Sequence, residues 1–141
     1  IGNKMRISEI VRIDSRGRIT MPSSVREATG FSEGMYVMLI ADLDAKEVRI
    51  TPFADPQAKL VEFHFTISDI SGSLAQVAAI LAENEVDLLS TTSRTLRRGE
   101  LAEWIVVADM SKCKRPLDEL QKGILKGKAA KKISSRDLSN P

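Results

Sequence analysis

The chain has 141 residues, of which 43% are hydrophobic and 28% charged, and its formal net charge is +2. This composition is typical of a globular protein with one ordinary domain or two small ones, and it excludes a disordered or fibrous chain. No apolar run approaches the roughly 20 residues of a membrane span, and no apolar signal core is present near the N-terminus, so we expect no membrane association. The single cysteine, Cys113, permits no intrachain disulfide. Its solitary state fits a cytoplasmic location.

The first pattern along the chain is a pair of short apolar alternations that flank an arginine-containing turn. Residues 11–14 and 18–21 alternate between apolar and polar side chains, which predicts two half-buried strands. Gly17 lies in the connection and permits the positive φ of a tight turn. The neighbouring arginines then point outward, where guanidinium groups bind phosphates or guanine edges. The hairpin therefore predicts DNA binding, and a merely solvated charged tip is the alternative.

A short helix and a second hairpin are expected next. Ser24 and Glu27 have the spacing of a capping box, which predicts a helix that begins at Ser24, and Gly30 is suited to its C-cap. Residues 36–41 and 47–51 then predict two strands joined by a turn at Asp42-Leu43-Asp44.

This order resembles the AbrB-like (SpoVT-AbrB, MazE-related) swapped-hairpin family of DNA-binding domains over about residues 7–53. The most specific motif is V-R-I-D-S-R-G-R-I-T-M-P, residues 11–22, followed by V-R-E-A-T-G, residues 25–30. The resemblance implies that two chains interleave their hairpins into one small, β-rich barrel with a short helix and present arginines to DNA. The expected DNA-binding residues are Arg12, Arg16, Arg18 and Arg26. Glu27 departs from the family prototype, which has a second basic residue there.

The small size of this segment also favours a homodimer. A segment of about 50 residues buries too small a fraction of its surface to be comfortably stable without a disulfide, a metal or a partner. We predict no metal site and no cofactor here, so a second copy of the chain is the expected partner. A tetramer is the alternative assembly.

The second half of the chain has a separate pattern beyond a short linker. Pro52 and Pro56 bracket a polar stretch, and we place the linker at residues 54–58 between domains of residues 5–53 and 59–138. Strands are predicted at 61–67, 86–96, 101–109 and 132–138, with an amphipathic helix after residue 73 and another opened by Pro116. This order, βαββαβ, predicts an α+β ferredoxin-like fold. Trp104 is expected in its core and His64 on the polar strand face.

The first strand-to-helix connection of this domain has the sequence D-x-x-G-x-L, which together with the element order resembles the ACT domain. That resemblance covers about residues 59–138 and implies a regulatory module that binds an amino acid or a related small molecule near this loop. Gly72 allows a close backbone approach, and the helix N-terminus offers N–H groups to a carboxylate. The implied ligand-binding residues are Asp69, Ile70, Ser71, Gly72, Ser73 and Leu74. A loop that only turns and caps the helix, in a domain used for dimerisation, is the alternative.

The expected function is that of a transcriptional regulator that binds double-stranded DNA and senses a small-molecule effector. We expect no enzymatic activity, because one histidine and one cysteine far apart supply no catalytic pair and no nucleophile elbow is present. The alternatives are a MazE-type antitoxin and an ACT regulatory subunit of a metabolic enzyme without DNA binding. Nine basic residues in the segment 112–136 form either a solvated helix face or an auxiliary phosphate or acidic-partner surface.

Overall fold

The structure is a computed structural model that describes residues 5–139, and over this range the protein is mixed α/β with three helices and two sheets. The chain divides into two compact units between Pro56 and Gln57. We call them the first unit and the second unit. Among the described residues, no helix is long and apolar enough to cross a membrane.

The first unit contains one helix and one antiparallel hairpin. Helix α1 spans Ser23–Thr29 and ends at Gly30, whose φ of 79° confirms the expected left-handed C-cap. Strand β1, Tyr36–Asp42, pairs with β2, Glu47–Ala54, so both predicted strands are confirmed. Strand β2 continues to Ala54, and the first residue of the predicted linker is therefore part of the sheet.

Two expectations for the first unit are wrong in the single chain. Residues 11–14 and 18–21 form no strand, because the only backbone hydrogen bond between them runs from the Asp14 N–H to the Arg18 carbonyl beside the turn. Val11, Ile13 and Ile19 stay exposed, and Met21 is half-buried. The capping box is also absent: α1 begins at Ser23 after Pro22, and the Ser24 hydroxyl donates to Glu9 Oε1 at 3.0 Å instead. The hydroxyl finds a carboxylate fifteen residues away in sequence, which the local spacing does not reveal.

The second unit follows the predicted order βαββαβ. Its elements are β3 (Leu60–Ser68), α2 (Ser73–Glu83), β4 (Asp87–Arg97), β5 (Leu101–Asp109), α3 (Leu117–Lys126) and β6 (Lys132–Asp137). The four strands form one antiparallel sheet in the order β4-β5-β3-β6. Pro116 lies at the N-cap of α3, as its fixed φ favours.

The core of the second unit lies on one face of this sheet. The alternate residues of β3 from Val61 to Ile67 are buried, and both helices contribute apolar side chains to the same cluster. Phe65 packs against Trp104 with ring centroids 5.7 Å apart, which confirms the predicted core position of Trp104. The other face of β3 carries polar side chains and is half-exposed, as the alternation predicts.

Candidate nucleic-acid interface and ligand loop

The arginine-containing turn is organised by Asp14. Its Oδ1 accepts hydrogen bonds from the backbone N–H groups of Arg16 (2.8 Å) and Arg18 (2.9 Å), and its backbone N–H donates to the Arg18 carbonyl. Gly17 has a φ of 75°, so the expected positive φ is confirmed. The hydrogen bond from the Arg18 backbone is the main cause that lowers the pKa of the Asp14 carboxyl. The turn is thus closed by the backbone and by one ionised side chain.

Two of the predicted DNA-binding arginines are tied to the protein by part of their guanidinium group. Arg18 Nε donates to Asp14 Oδ2 at 2.9 Å, and Arg26 donates to the Met21 carbonyl. In both cases other guanidinium nitrogens remain for a second acceptor, because each group carries five N–H donors. These contacts fix the direction of each side chain and leave its charge exposed.

The other two arginines are unpaired. Within residues 5–139, the guanidinium groups of Arg12 and Arg16 form no hydrogen bond and no ion pair, and both residues are exposed. All four arginines therefore lie on the surface of the first unit. Exposed guanidinium groups on a closed turn are able to bind phosphate oxygens bidentately.

The first unit also exposes an apolar sheet face. Leu39 and Val48 lie on one face of the β1–β2 hairpin, and their exposed fractions are 65% and 64%. No residue from 5 to 56 is fully buried. The same unit exposes Ile10 completely and Ile13 to 68%. Such a density of exposed apolar side chains is typical of an interaction surface.

The loop at residues 69–74 is held against the turn between β4 and β5. Asp69 Oδ2 accepts a hydrogen bond from the backbone N–H of Gly99 at 2.8 Å, and the Asp69 N–H donates to the Glu100 carbonyl at 3.1 Å. The carboxylate predicted to bind a ligand therefore has a structural partner. Gly72 has a φ of 90° with open space around it, and α2 begins at Ser73 as expected.

Two grooves of the second unit flank this loop. The smaller, of about 190 Å³, is lined by Asp69, Ile70 and Leu74 from the loop and by Arg94 from β4. The larger, of about 500 Å³, is lined by Ile70 and Ser73 and by residues that follow α3. Ser71 and Gly72 line neither groove. The structure thus brings four of the six predicted ligand residues to the walls of a groove.

Sequence reasoning does not find two of the side chains that organise these regions. The alternation identifies Asp14 only as a polar strand residue, although an aspartate just before a glycine-containing turn often accepts hydrogen bonds from the backbone that follows it. Glu62, on the open face of the sheet, accepts from His64 (2.9 Å) and Arg136 (3.3 Å). The hydrogen bond from His64 is the main cause that lowers the pKa of Glu62. The alternation places His64 on this face and does not reveal its partner.

Among residues 5–139, no group of three or more histidine, cysteine, aspartate or glutamate side chains is arranged to hold a metal ion. Comparison with known proteins finds no protein-family model and no curated protein that matches this chain. The function is therefore inferred from the geometry and chemistry of the molecule itself.

Proposed function

We propose that the protein is a DNA-binding transcriptional regulator whose first unit contacts DNA as a homodimer. The observation that carries the proposal is the turn closed by Asp14, which contains the unpaired guanidinium group of Arg16 and follows that of Arg12 by two residues. A closed turn lowers the conformational entropy lost when the arginines bind phosphates. Arg18 and Arg26 would extend the same basic surface with their remaining N–H donors.

The dimer is supported by what the first unit leaves exposed. Leu39, Val48 and the apolar residues before the turn have no cover within one chain. In the proposed arrangement, the hairpins of two chains interleave into an AbrB-like barrel, and the partner supplies the ladder that residues 11–14 and 18–21 lack. A symmetric dimer would also place two arginine turns on one DNA duplex.

The second unit is proposed to be a ferredoxin-like, ACT-like sensor of a small metabolite. Its support is the βαββαβ order, the sheet order β4-β5-β3-β6 and the two grooves beside the 69–74 loop. A regulator of this kind would act in the cytoplasm. If an effector changes the affinity for DNA by a given factor, bound DNA changes the affinity for the effector by the same factor.

The test is fluorescence anisotropy with a labelled DNA duplex of mixed sequence at several salt concentrations. We expect the logarithm of the association constant to fall with the logarithm of salt by about 0.9 per phosphate neutralised. Each of R12A, R16A, R18A and R26A should weaken binding and reduce that slope. K46Q, in the turn between β1 and β2, is the matched control and should leave both unchanged. Equal affinity in all four arginine variants and the wild type would contradict the proposal.

A further inference from the structure

The larger groove of the second unit has a strongly one-sided charge. It lies between the start of α2 and the segment that follows α3, and it is lined by two lysines, Lys128 and Lys131, and by no acidic residue. Neither ammonium group forms an ion pair with a carboxylate among residues 5–139. The walls are completed by apolar side chains, including Ile70 and Leu125. A concave site with positive charge and apolar walls favours a small organic anion, such as a carboxylate or a phosphate ester.

Ser73 supplies a recessed polar group in this groove. It is only 8% exposed, and its hydroxyl has no hydrogen-bond partner among the described residues. Every fully enclosed side-chain oxygen or nitrogen in the described part of the chain has a hydrogen-bond partner. The Ser73 hydroxyl has none, so its oxygen must be partly accessible to solvent. Ser73 is also one of the residues that line the groove. A hydroxyl on a mostly buried residue that has no protein partner is expected to bind water or a ligand.

The backbone of α2 adds donors at the same place. The helix begins at Ser73 and Gly72 provides no side-chain cap. The N–H groups of Ser73 and Gln76 donate to the Ile70 and Gly72 carbonyls, whereas those of Leu74 and Ala75 have no acceptor among residues 5–139. The first N–H groups of a helix and its dipole favour a negative charge.

The two lysines are held in position by the backbone between them. Ala129 and Ala130 are buried, and the Lys131 N–H donates to the Thr66 carbonyl at 2.8 Å. The Lys128 N–H donates to the Leu125 carbonyl at 3.0 Å. The backbone of Lys128 is thus bonded to the end of α3 and that of Lys131 to β3, while both side chains remain exposed. The fold therefore places the backbone of both lysines beside the groove.

The smaller groove is less suited to an anion. Arg94, its basic residue, forms an ion pair with Glu103 at 3.3 Å, and Asp69 adds a carboxylate to the same wall. The negative charge of Asp69 repels an anion there, and Glu103 already neutralises part of the positive charge of Arg94. Of the two grooves beside the loop, the larger has the better chemistry for a carboxylate or a phosphate.

We propose that this groove binds a small organic anion through a carboxylate or phosphate group. The Ser73 hydroxyl and the start of α2 donate hydrogen bonds to it, and Lys128 and Lys131 neutralise its charge. The proposal deepens the sensing role of the second unit by naming the site and the ligand class, and it rests on that role alone, independently of DNA binding. The recessed hydroxyl favours a small ligand over the phosphates of a duplex.

The experiment is an amide NMR titration of the full ¹⁵N-labelled chain at constant ionic strength. The probes are acetate, inorganic phosphate, glycine and a DNA duplex, each balanced with sodium chloride. We expect saturable shifts of the amides at 73–76 and 128–131 with acetate or phosphate. S73A, K128Q and K131Q should each weaken this binding by about tenfold, as the loss of one hydrogen bond to a charged group implies. K122Q, an exposed lysine of α3 outside the groove, is the matched control and should bind like the wild type.

Three outcomes would overturn the inference, and they separate it from the proposed function. Shifts with glycine confined to Asp69, Arg94 and their neighbours would place the ligand in the smaller groove and leave sensing intact. Shifts at 128–131 with DNA alone would make the lysines part of the DNA surface. No saturable shift with acetate, phosphate or glycine would count against both the groove and the sensing role, while the anisotropy assay would still decide DNA binding.

Discussion

The two units of the molecule differ in how many apolar side chains each of them buries within a single chain. The second unit buries a cluster of apolar side chains between its sheet and two helices, and Phe63, Phe65, Leu81 and Leu120 are fully enclosed. In the first unit no residue from 5 to 56 is fully buried, although its helix and hairpin are well formed. Regular secondary structure therefore does not by itself indicate a complete fold. The first unit has regular elements without a buried core of its own, which the proposed homodimer would supply.

The largest expected effect tests the self-sufficiency of the second unit. F65A removes a fully buried ring that packs on Trp104, and such truncations cost about 3–5 kcal/mol in the free energy of unfolding. Urea denaturation followed by the NMR signals of the second unit measures this loss. V48A, at an exposed position of the first unit, is the control and should leave these signals unchanged. An F65A effect below about 1 kcal/mol would mean that the core is not the source of stability.

The next effect tests whether the first unit depends on a partner. L39D places a charge on the apolar face of the β1–β2 hairpin, and burying an unpaired charge in an interface costs several kcal/mol. We expect the dimer dissociation constant from sedimentation velocity to rise by roughly a hundredfold or more. The control is L43D, because Leu43 lies in the turn outside the strand pairing and is 83% exposed. Unaltered dimerisation of L39D would remove this face from the interface.

A smaller effect compares two glycines that have a positive φ in a turn. Gly17 and Gly99 have φ values of 75° and 77°, and a Cβ at either position would meet no atom within 4 Å. Alanine at each therefore costs only backbone strain, about 1–2 kcal/mol. G17A should weaken DNA binding and leave the second unit's unfolding unchanged, whereas G99A should lower the second unit's stability and leave DNA binding unchanged. Anisotropy and urea denaturation of both variants measure the two effects, and a reversed pattern would break the comparison.

The smallest effect compares two carboxylates with lowered pKa values. Hydrogen bonds hold the pKa of Asp14 below its ordinary 3.8 and that of Glu62 below its ordinary 4.5. Each carboxylate therefore stabilises its surroundings fully above the ordinary value, and this contribution is lost as the pH falls through the lowered pKa. NMR titration of the carboxyl carbons should show both midpoints below the ordinary values. D14N and E62Q identify the two signals, and a midpoint at or above the ordinary value would contradict the corresponding contact.

How far the sequence predicts the structure depends on where the partners of each residue lie. The alternation at 61–67 and the apolar spacing of Val77 and Leu81 predict the second unit well, because both patterns record burial within one chain. Gly17 and Gly30 are equally readable, since a positive φ is a local demand. The Ser24–Glu9 and Asp69–Gly99 contacts escape prediction because they join residues distant in sequence. The predicted strands at 11–14 and 18–21 are absent from the single chain, where one backbone hydrogen bond, from Asp14 to Arg18, joins the two segments.

The site predictions divide in the same way. All four arginines predicted to bind DNA lie on the surface, three of them in or near the turn and Arg26 in α1. Gly72 and the following helix predict the loop at 69–74 as a ligand site, yet the lysines that line one of the two neighbouring grooves come from residues 128–131, after α3. Nothing in the spacing of a basic segment tells which of its lysines will face a groove. The fold makes that selection when it buries Ala129 and Ala130 between them.

The placement of Trp104 has a practical consequence. It is the chain's one tryptophan and lies 3% exposed in the second unit, whereas the one tyrosine, Tyr36, begins β1 of the first unit. Each unit thus carries its own intrinsic chromophore. If the indole is excited at a wavelength where tyrosine does not absorb, its emission reports on the second unit alone. An unlabelled sample can report whether an effector or a DNA duplex disturbs the second unit, and the difference between indole and phenol signals can separate the melting of the two halves.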